Sequence, residues 1–320
     1  MKTIAAILTT LLLAGAACAQ GYPNRPVRVV VPWPPGQATD IAARVVAERL
    51  QTSLGQAFVI DNRPGAGGAI GSDAVVKSAP DGYTLLAASS GPLSIMLHLQ
   101  KVPYEPLKDL APISLVARVP FALVTNPSFP AANAGEFVAL VKANPGKYTF
   151  SSSGTGATAH LFTELFNSMA QIQARHVPYK GTAPAITDII NGQISYTIET
   201  VAATVSHVKS GRLKAYGVST KQRAGAMPDA PPLAEVAGVP DYDAAAWIGY
   251  AAPAGTPREM LLRISNEIQK ALQSSELKER FLALGLDPVS TTPEAMAQFM
   301  RLEQERYATI IRNANIKIEQ

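Results

Sequence analysis

The amino-acid sequence predicts an α/β protein of two lobes, each with a mixed, mostly parallel sheet flanked by helices. First, strand and helix patterns alternate along the chain, which is typical of parallel strands joined by helical crossovers. Second, the order of strand, small-residue loop and helix occurs twice, as an architectural repeat with little sequence identity. Third, 320 residues with 47% apolar content exceed the usual single-domain length and can bury one large core or two smaller ones, of which two lobes are the first interpretation.

The first nineteen residues have the composition of a signal peptide. Lys2 precedes the apolar run Ile4–Leu13, which is too short to span a bilayer, and Ala17-Cys18-Ala19 forms a cleavage signal before Gln20. We therefore expect export to the periplasm. Cys18 offers a lipid-anchored alternative, which is less favoured because a lipobox usually carries a larger aliphatic residue three positions earlier.

Composition excludes several classes of function. Cys18 is the one cysteine of the chain, so the processed protein would have no disulfide and no cysteine chemistry. The net charge of +4 is spread without basic blocks, which argues against nucleic acid as a partner. The four histidines lack the spacing of metal ligands, and we expect neither a metal nor a cofactor.

The first unit of the chain is a strand, a stiff turn and a helix. Val27–Val31 is a branched apolar run, Pro32–Asp40 forms the turn and the first helical turn, and apolar residues follow at helical spacing. Gly36 allows close approach of a ligand, and the leading N–H groups of the helix attract anions. The alternative is that Thr39 or Asp40 simply caps the helix.

The rest of the first half continues the alternation. Strand Ala57–Asp61 leads into the glycine loop Asn62–Gly71, and strand Tyr83–Ala88 ends in the polar loop Ser89–Pro92. The glycine loop is a weak match to a dinucleotide-binding pattern, and a tight packing loop is the preferred interpretation. The segment Leu110–Val124 then predicts a long apolar crossing, broken at Pro120.

The second half repeats this order. Strand Tyr148–Phe150, the Ser/Gly turn and a helix to Met169 are followed by strand Arg175–Tyr179 and the turn Lys180–Pro184. A further strand ends at Glu199, which is either a solvated strand end or a pocket acceptor; both interpretations stay open. Gly225–Asp243 is predicted as a surface connection.

The last part of the chain is predicted to be structural. Trp247–Ala252 is a strand, Thr256–Glu259 has the pattern of a capping box, and Thr292 precedes the final helix.

Loops at the carboxyl ends of strands supply the candidate site. Small residues with free backbone donors occur there in both halves, and they converge if the halves face each other. Capture of a small carboxylate is the favoured function, without catalysis. The predicted ligand-binding residues are Trp33, Gly36, Gln37, Thr39, Asp40, Ser89, Ser90, Ser153, Gly154, Thr155, Ala157, Thr158, Gly181, Thr182, Ala183 and Glu199. A secreted hydrolase using a serine of Ser151–Ser153 with His160 is the alternative, although no Gly-x-Ser-x-Gly elbow is present.

The motifs in this order resemble the Bug-type, or tripartite tricarboxylate transporter, periplasmic substrate-binding receptors. The resemblance is carried by Tyr22-Pro-Asn-Arg-Pro-Val-Arg28, Val31-Pro-Trp-Pro-Pro-Gly36, Asn62-Arg-Pro-Gly-Ala-Gly-Gly68, Pro80-Asp-Gly-Tyr-Thr-Leu85, Ser151-Ser-Ser-Gly154, His160-Leu161, Pro178-Tyr-Lys-Gly181 and Ala252-Pro-Ala-Gly-Thr-Pro257. It implies a Venus flytrap (type II) fold, a ligand carboxylate held between the two lobes, and membrane permease subunits as partners. Gln37, Thr182 and Glu199 depart from the usual family residues at expected pocket walls.

These interpretations set the expected boundaries and ligand. Lobe one comprises 21–120 and 226–320, with the terminal helices, and lobe two comprises 121–225. We expect a monomer that serves a transporter, or an orphan receptor without one. Glu199 favours a carboxylate that also carries a donor group, such as an amino acid or a nitrogen-heterocyclic acid, since two carboxylates in contact disfavour shared ionisation.

Overall fold

The computed structural model describes residues 21–313. The predicted signal peptide and the alternative lipid attachment at Cys18 lie outside these residues. The described chain alternates strands and helices, as predicted. The strands are β1 Val27–Val31, β2 Phe58–Asn62, β3 Thr84–Ser89, β4 Leu110–Thr125, β5 Thr149–Ser152, β6 Arg175–Pro178, β7 Tyr196–Thr200, β8 Lys214–Val218, β9 Ala245–Pro253 and β10 Asp287–Pro288.

The helices connect these strands and cover the faces of the sheet. They are α1 Ala38–Leu54, α2 Ala69–Val76, α3 Pro106–Asp109, α4 Ala134–Lys142, α5 Thr158–Ala170, α6 Thr182–Ile190, α7 Val201–Lys209, α8 Leu233–Val236, α9 Arg258–Gln273, α10 Ser275–Ala283 and α11 Pro293–Asn313. A π-helical turn, Gly91–Ile95, follows β3 almost directly, where the sequence predicted a polar loop.

The strands form two regions joined by β4. The first sheet region has the order β2-β1-β3-β9-β4, with β1, β2 and β3 parallel and β9 antiparallel to its neighbours. The second sheet region has the order β4-β7-β5-β6, and β8 also pairs with β4. Each region is therefore a mixed sheet, and β4 is the strand that they share.

The predicted break at Pro120 is wrong, because β4 runs through it. Leu110–Pro120 pairs with β9, and Phe121–Thr125 pairs with β7. Pro120 lies opposite Ala245, the first residue of β9, so its missing N–H falls where that ladder ends. Proline is tolerated here because the strand changes partners at this residue.

A continuous core spans both regions. Its largest cluster includes Val29 and Tyr250 of the first region together with Phe150 and Tyr196 of the second. On one side of the molecule α5 meets α11, where the rings of Phe162 and Tyr307 stack with centroids 6.1 Å apart. The two regions are thus packed together at their junction as well as joined by the chain.

Two predictions about connecting segments are wrong. The segment 225–243 is not a purely surface connection, since Met227, Leu233 and Tyr242 are buried and Tyr242 donates to the Phe162 carbonyl at 3.0 Å. Thr256 does not form a capping box, because its hydroxyl donates to the Pro253 carbonyl and the helix begins only at Arg258.

Candidate ligand-binding site

A cavity of about 640 Å³ lies between the two sheet regions. Its walls come from the β1–α1 turn, the end of β3, the β5–α5 and β6–α6 loops and the β7–α7 junction. These are carboxyl ends of strands, where open α/β sheets place their ligands. All of the predicted site residues line this cavity except Asp40, Gly154, Thr155 and Ala183. Of these four, Ala183 lines a neighbouring groove between α6 and α7.

Asp40 supports the cavity wall from behind. Its side chain is 2% exposed and accepts hydrogen bonds from the Gly36 N–H at 2.9 Å, Arg44 Nε at 3.0 Å and Asn62 Nδ2 at 2.8 Å. Burial alone would raise the pKa of Asp40, but these hydrogen bonds hold it below its usual value. Asp40 therefore fixes the Gly36 turn just before α1. This role is similar to the helix capping considered from the sequence, but Asp40 bonds to Gly36 and the N-cap residue itself is Gln37.

Trp33 and Ser89 close the neighbouring part of the wall. Trp33 Nε1 donates to Ser89 Oγ at 2.9 Å, which links the β1–α1 turn to the end of β3. The Trp33 carbonyl accepts from Asn62 Nδ2 at 3.0 Å, so the turn is also held to β2. Both side chains of this pair line the cavity, as predicted.

Among the described residues, four helices begin at the wall of the cavity, and α7 is the one whose N-cap side chain, that of Thr200, makes a capping hydrogen bond. Residues of the first turns of the other three, α1, α5 and α6, line the cavity. Within the described residues, the N-cap positions Gln37, Ala157 and Gly181 make no side-chain capping hydrogen bond. The leading N–H groups of these helices have no intrahelical acceptor, and each terminus carries a partial positive charge. Such groups can hold a carboxylate without a cationic side chain.

Glu199 is the one ionisable side chain among the described residues that line the cavity. It is 3% exposed; its Oε1 accepts from the Thr200 N–H at 2.8 Å, and Oε2 accepts from the Thr182 hydroxyl at 3.2 Å. Burial raises the pKa of Glu199, and these hydrogen bonds partly oppose the rise. The interpretation of Glu199 as a solvated strand end is therefore wrong.

The serines of the second region do not form the predicted serine–histidine pair. Ser152 Oγ lies 2.7 Å from His176 Nε2, whereas His160 Nδ1 accepts from the Gly156 N–H at 3.1 Å. Ser152 is also 0% exposed and does not line the cavity, so its hydroxyl has no access to a substrate. Ser151 is likewise buried, and Ser153 lines the cavity without a bond to either histidine among the described contacts.

Sequence reasoning missed two further parts of the wall. Val119 and Phe121 come from the β4 crossing, and Ala246–Ile248 comes from β9 beside it. Leu284 and Leu286, after α10, close the cavity opposite the start of α7. Apolar residues of this kind carry no chemical signal in a sequence, and long-range packing alone brings them to the site.

The comparison with known proteins assigns the chain to a family. A family model described as the tripartite tricarboxylate transporter family receptor matches residues 42–316. The chain belongs to this receptor family. It is similar to BugT of Bordetella pertussis, with 40% identity over all of this chain and 98% of that protein.

Solved structures agree with this membership. The chain is similar to Rpa4515 of R. palustris, solved with adipate, with 32% identity, a TM-score of 0.83 and coverage of 92% of this chain and 99% of that one. It is also similar to MatC (Rpa3494) of Rhodopseudomonas palustris, solved with bound malate, with 30% identity, a TM-score of 0.78 and coverage of 91% and 100%. The predicted receptor family and its periplasmic-binding-protein fold are confirmed.

The described residues also bear on membrane spanning and on metal binding. Between residues 21 and 313, no helix combines the length and apolar character needed to cross a membrane. Within the same residues, no three or more His, Cys, Asp or Glu side chains group closely enough to hold a metal ion.

Proposed function

We propose that this receptor is a periplasmic, non-enzymatic binding protein that captures a small organic carboxylate and presents it to the membrane permease subunits of a tripartite transporter. Its family membership and the carboxylates in the related structures support this proposal. In this proposal it acts as a monomer in the periplasm after removal of the predicted signal peptide. A receptor without a cognate permease would bind the same ligand in the same way.

The ligand is enclosed between two lobes. We place the first boundary at residue 120, as the sequence predicted, and move the second from residue 225 to residue 244, so that lobe one comprises 21–120 and 245–313 and lobe two comprises 121–244. The chain leaves the first sheet region at Pro120 and re-enters it at Ala245, which supports hinge positions near these residues. Since α8 contacts β8 and α4, the segment between 226 and 244 moves with lobe two, and the second hinge lies close to Ala245.

The observation that carries the proposal is a cavity that offers helix N-termini, and no cationic side chain among its described lining residues, to a bound anion. Three helix N-termini without side-chain caps face a cavity whose described lining contains no Lys, Arg or His. The N–H groups and dipoles of these helices would compensate a ligand carboxylate. The volume of about 640 Å³ suits a small organic acid.

Glu199 selects a carboxylate that also carries a hydrogen-bond donor. An ammonium or ring N–H can bind the buried carboxylate of Glu199, whereas a second ligand carboxylate beside it would be disfavoured by like charge. Gln37, on the opposite wall, contributes an amide to the same choice. We therefore place amino acids and nitrogen-heterocyclic acids ahead of plain dicarboxylates such as adipate and malate.

A ligand screen followed by calorimetry tests this proposal. Amino acids, heterocyclic acids and di- and tricarboxylates are screened by thermal shift, since saturating ligand stabilises by about 2.7 kcal/mol at a hundred times Kd. Glu199→Gln should weaken a donor-bearing ligand by about 1 to 3 kcal/mol and a plain carboxylate much less. Glu235→Gln, on the exposed face of α8, is the control and should change neither.

Three results would overturn the proposal at different levels. Failure of every carboxylate to bind would refute capture of an organic acid. Equal losses for both ligand classes in Glu199→Gln would refute the donor preference alone. Ester hydrolysis that disappears in Ser153→Ala, the variant of the one serine of the predicted turn that lines the cavity, would restore the hydrolase alternative.

A further inference from the structure

The loop 153–157, which carries cavity residues into α5, is held from behind by a stacked pair of histidines. The rings of His160 on α5 and His176 on β6 lie face to face, with centroids 3.9 Å apart and planes 8° from parallel. Phe150 of β5 stacks on His176 at 4.9 Å. Neither histidine lines the cavity, so the pair contacts the loop and not the ligand.

His160 fixes the end of the loop through one of its ring nitrogens. The Gly156 N–H donates to His160 Nδ1 at 3.1 Å, which requires that Nδ1 carry no proton. Nε2 then carries the ring proton and points towards Glu164 Oε1, 3.7 Å away on the next turn of α5. A second proton on the ring would sit on Nδ1, against the Gly156 N–H, and would break this bond.

His176 fixes the start of the loop through Ser152. The Ser152 hydroxyl donates to the Gly154 carbonyl at 2.9 Å and accepts from the Gly154 N–H at 3.2 Å. Because this hydroxyl has one proton, the 2.7 Å contact makes His176 Nε2–H the donor to Ser152 Oγ. The buried Ser152 therefore connects His176 to Gly154 of the loop through hydrogen bonds, and this role is structural and not catalytic.

We propose that His160 and His176 are positioning residues that hold loop 153–157 in its ligand-binding conformation while both rings are neutral, so that protonation of the pair weakens ligand binding. This inference rests on the proposed function. Two imidazolium rings at 3.9 Å would repel each other, so the stacked arrangement disfavours a state in which both rings are charged.

The surroundings of the pair support this assignment. Glu164 is the carboxylate that faces it, from α5, while β5 contributes the uncharged Phe150 and Ser152. Burial, and then the nearby His160, lower the pKa of His176 to about 4. A proton is therefore gained on His176 only well below neutral pH.

Two conservative variants separate positioning from titration. His160→Asn offers an amide oxygen in place of Nδ1, and His176→Gln offers an amide in place of Nε2; neither replacement side chain titrates. Calorimetry with the tightest carboxylate of the screen compares them with the wild type at about pH 7.5 and about pH 4, near the pKa of His176. The wild type should lose about twofold in affinity at the lower pH, because about half of His176 then carries the proton that the bound form excludes.

Both variants should retain their affinity at the higher pH, and His176→Gln should lose less on acidification than the wild type. Because Glu199 and the ligand titrate equally in all three proteins, only the difference in pH dependence reports on the pair. His160→Leu, which cannot accept from Gly156, should bind weakly at both pH values. The four histidines of the chain also allow assignment by NMR, where ligand should lower the pKa of the His176 signal and leave those of His98 and His207 unchanged.

The outcomes distinguish this inference from the proposed function. Binding with the same pH dependence in wild type and His176→Gln, together with a His176 titration that ligand does not move and unchanged affinity in His160→Leu, would overturn the positioning role and leave the receptor function intact. Absence of carboxylate binding by the wild type at either pH would overturn both.

Discussion

Gly285 lies where the two sheet regions meet across the cavity, opposite the start of α7. Its φ is +72°, and a Cβ added there would lie 2.5 Å from both the Cα and the backbone nitrogen of Ala202. The flanking residues Leu284 and Leu286 line the cavity. Gly285→Ala therefore forces this segment about 0.9 Å away from Ala202 to reach an ordinary contact distance of 3.4 Å.

The substitution has two costs that can be separated. An L-residue in the left-handed conformation costs about 1 to 2 kcal/mol, and this cost is present whether the cavity is open or closed. The clash with Ala202 exists only when the regions are as close as they are here, and overpacking of this kind costs about 1 to 3 kcal/mol. If ligand binding requires this closed form, affinity should fall by about 5- to 150-fold.

Gly238→Ala is the matched control. Gly238 also follows a short helix, has φ +70° and has nothing within 4 Å of an added Cβ, so it carries the backbone cost without the clash. Calorimetry on both variants, with unfolding by denaturant, should show similar losses of stability but weakened binding in Gly285→Ala alone. Equal affinity in the two variants would refute the idea that contact between Gly285 and Ala202 accompanies binding.

Two further predictions concern closure and the support of the β1–α1 turn. Small-angle scattering should show a smaller radius of gyration with saturating ligand, as expected for hinge-type closure; an unchanged profile would indicate a preformed closed cleft. Asp40→Asn should reduce the free energy of unfolding at neutral pH by about 2 kcal/mol, since charge-assisted hydrogen bonds to Gly36, Arg44 and Asn62 are weakened. The pKa of Asp40 is lowered on folding, so its contribution is present above its unfolded value and is lost as the pH falls through the folded one; wild type and variant should converge in acid.

The parts of the site that the sequence predicted are those set by local geometry. The β1–α1 turn, the end of β3 and the β5–α5 loop are each encoded within about ten residues, by a strand run, small residues and a helix pattern. Parallel pairing brings the carboxyl ends of β1 and β3 to one edge of the first region and those of β5, β6 and β7 to one edge of the second. Glu199 was located by the same rule, although its burial was left open by the sequence.

The parts that the sequence did not predict depend on pairing between distant segments. His176 rather than His160 meets Ser152 because β6 lies beside β5 in parallel register, with Ser152 opposite Pro178. The sequence placed Asp40 among the ligand-binding residues, but its carboxylate accepts hydrogen bonds from Arg44 and Asn62. Asn62 lies at the end of β2, so this contact depends on the pairing of β2 with β1. Helix α7 was missed because it starts directly after β7 with no loop between them, so turn residues do not mark the boundary.

On the proposed function, the charge balance of the cavity couples capture to closure. Helix α1 begins on the wall of the first sheet region, while α5 and α6 begin on the wall of the second. Each terminus contributes roughly half a unit of positive charge, so α5 and α6 together balance one carboxylate, and closure adds the terminus of α1 from the opposite wall. The free energy available for closure is the difference in ligand affinity between the closed and open forms, and it is greatest for a ligand that needs both walls. Because Glu199 lies beside the start of α6, such a ligand places its carboxylate at the helix termini and its donor group at Glu199.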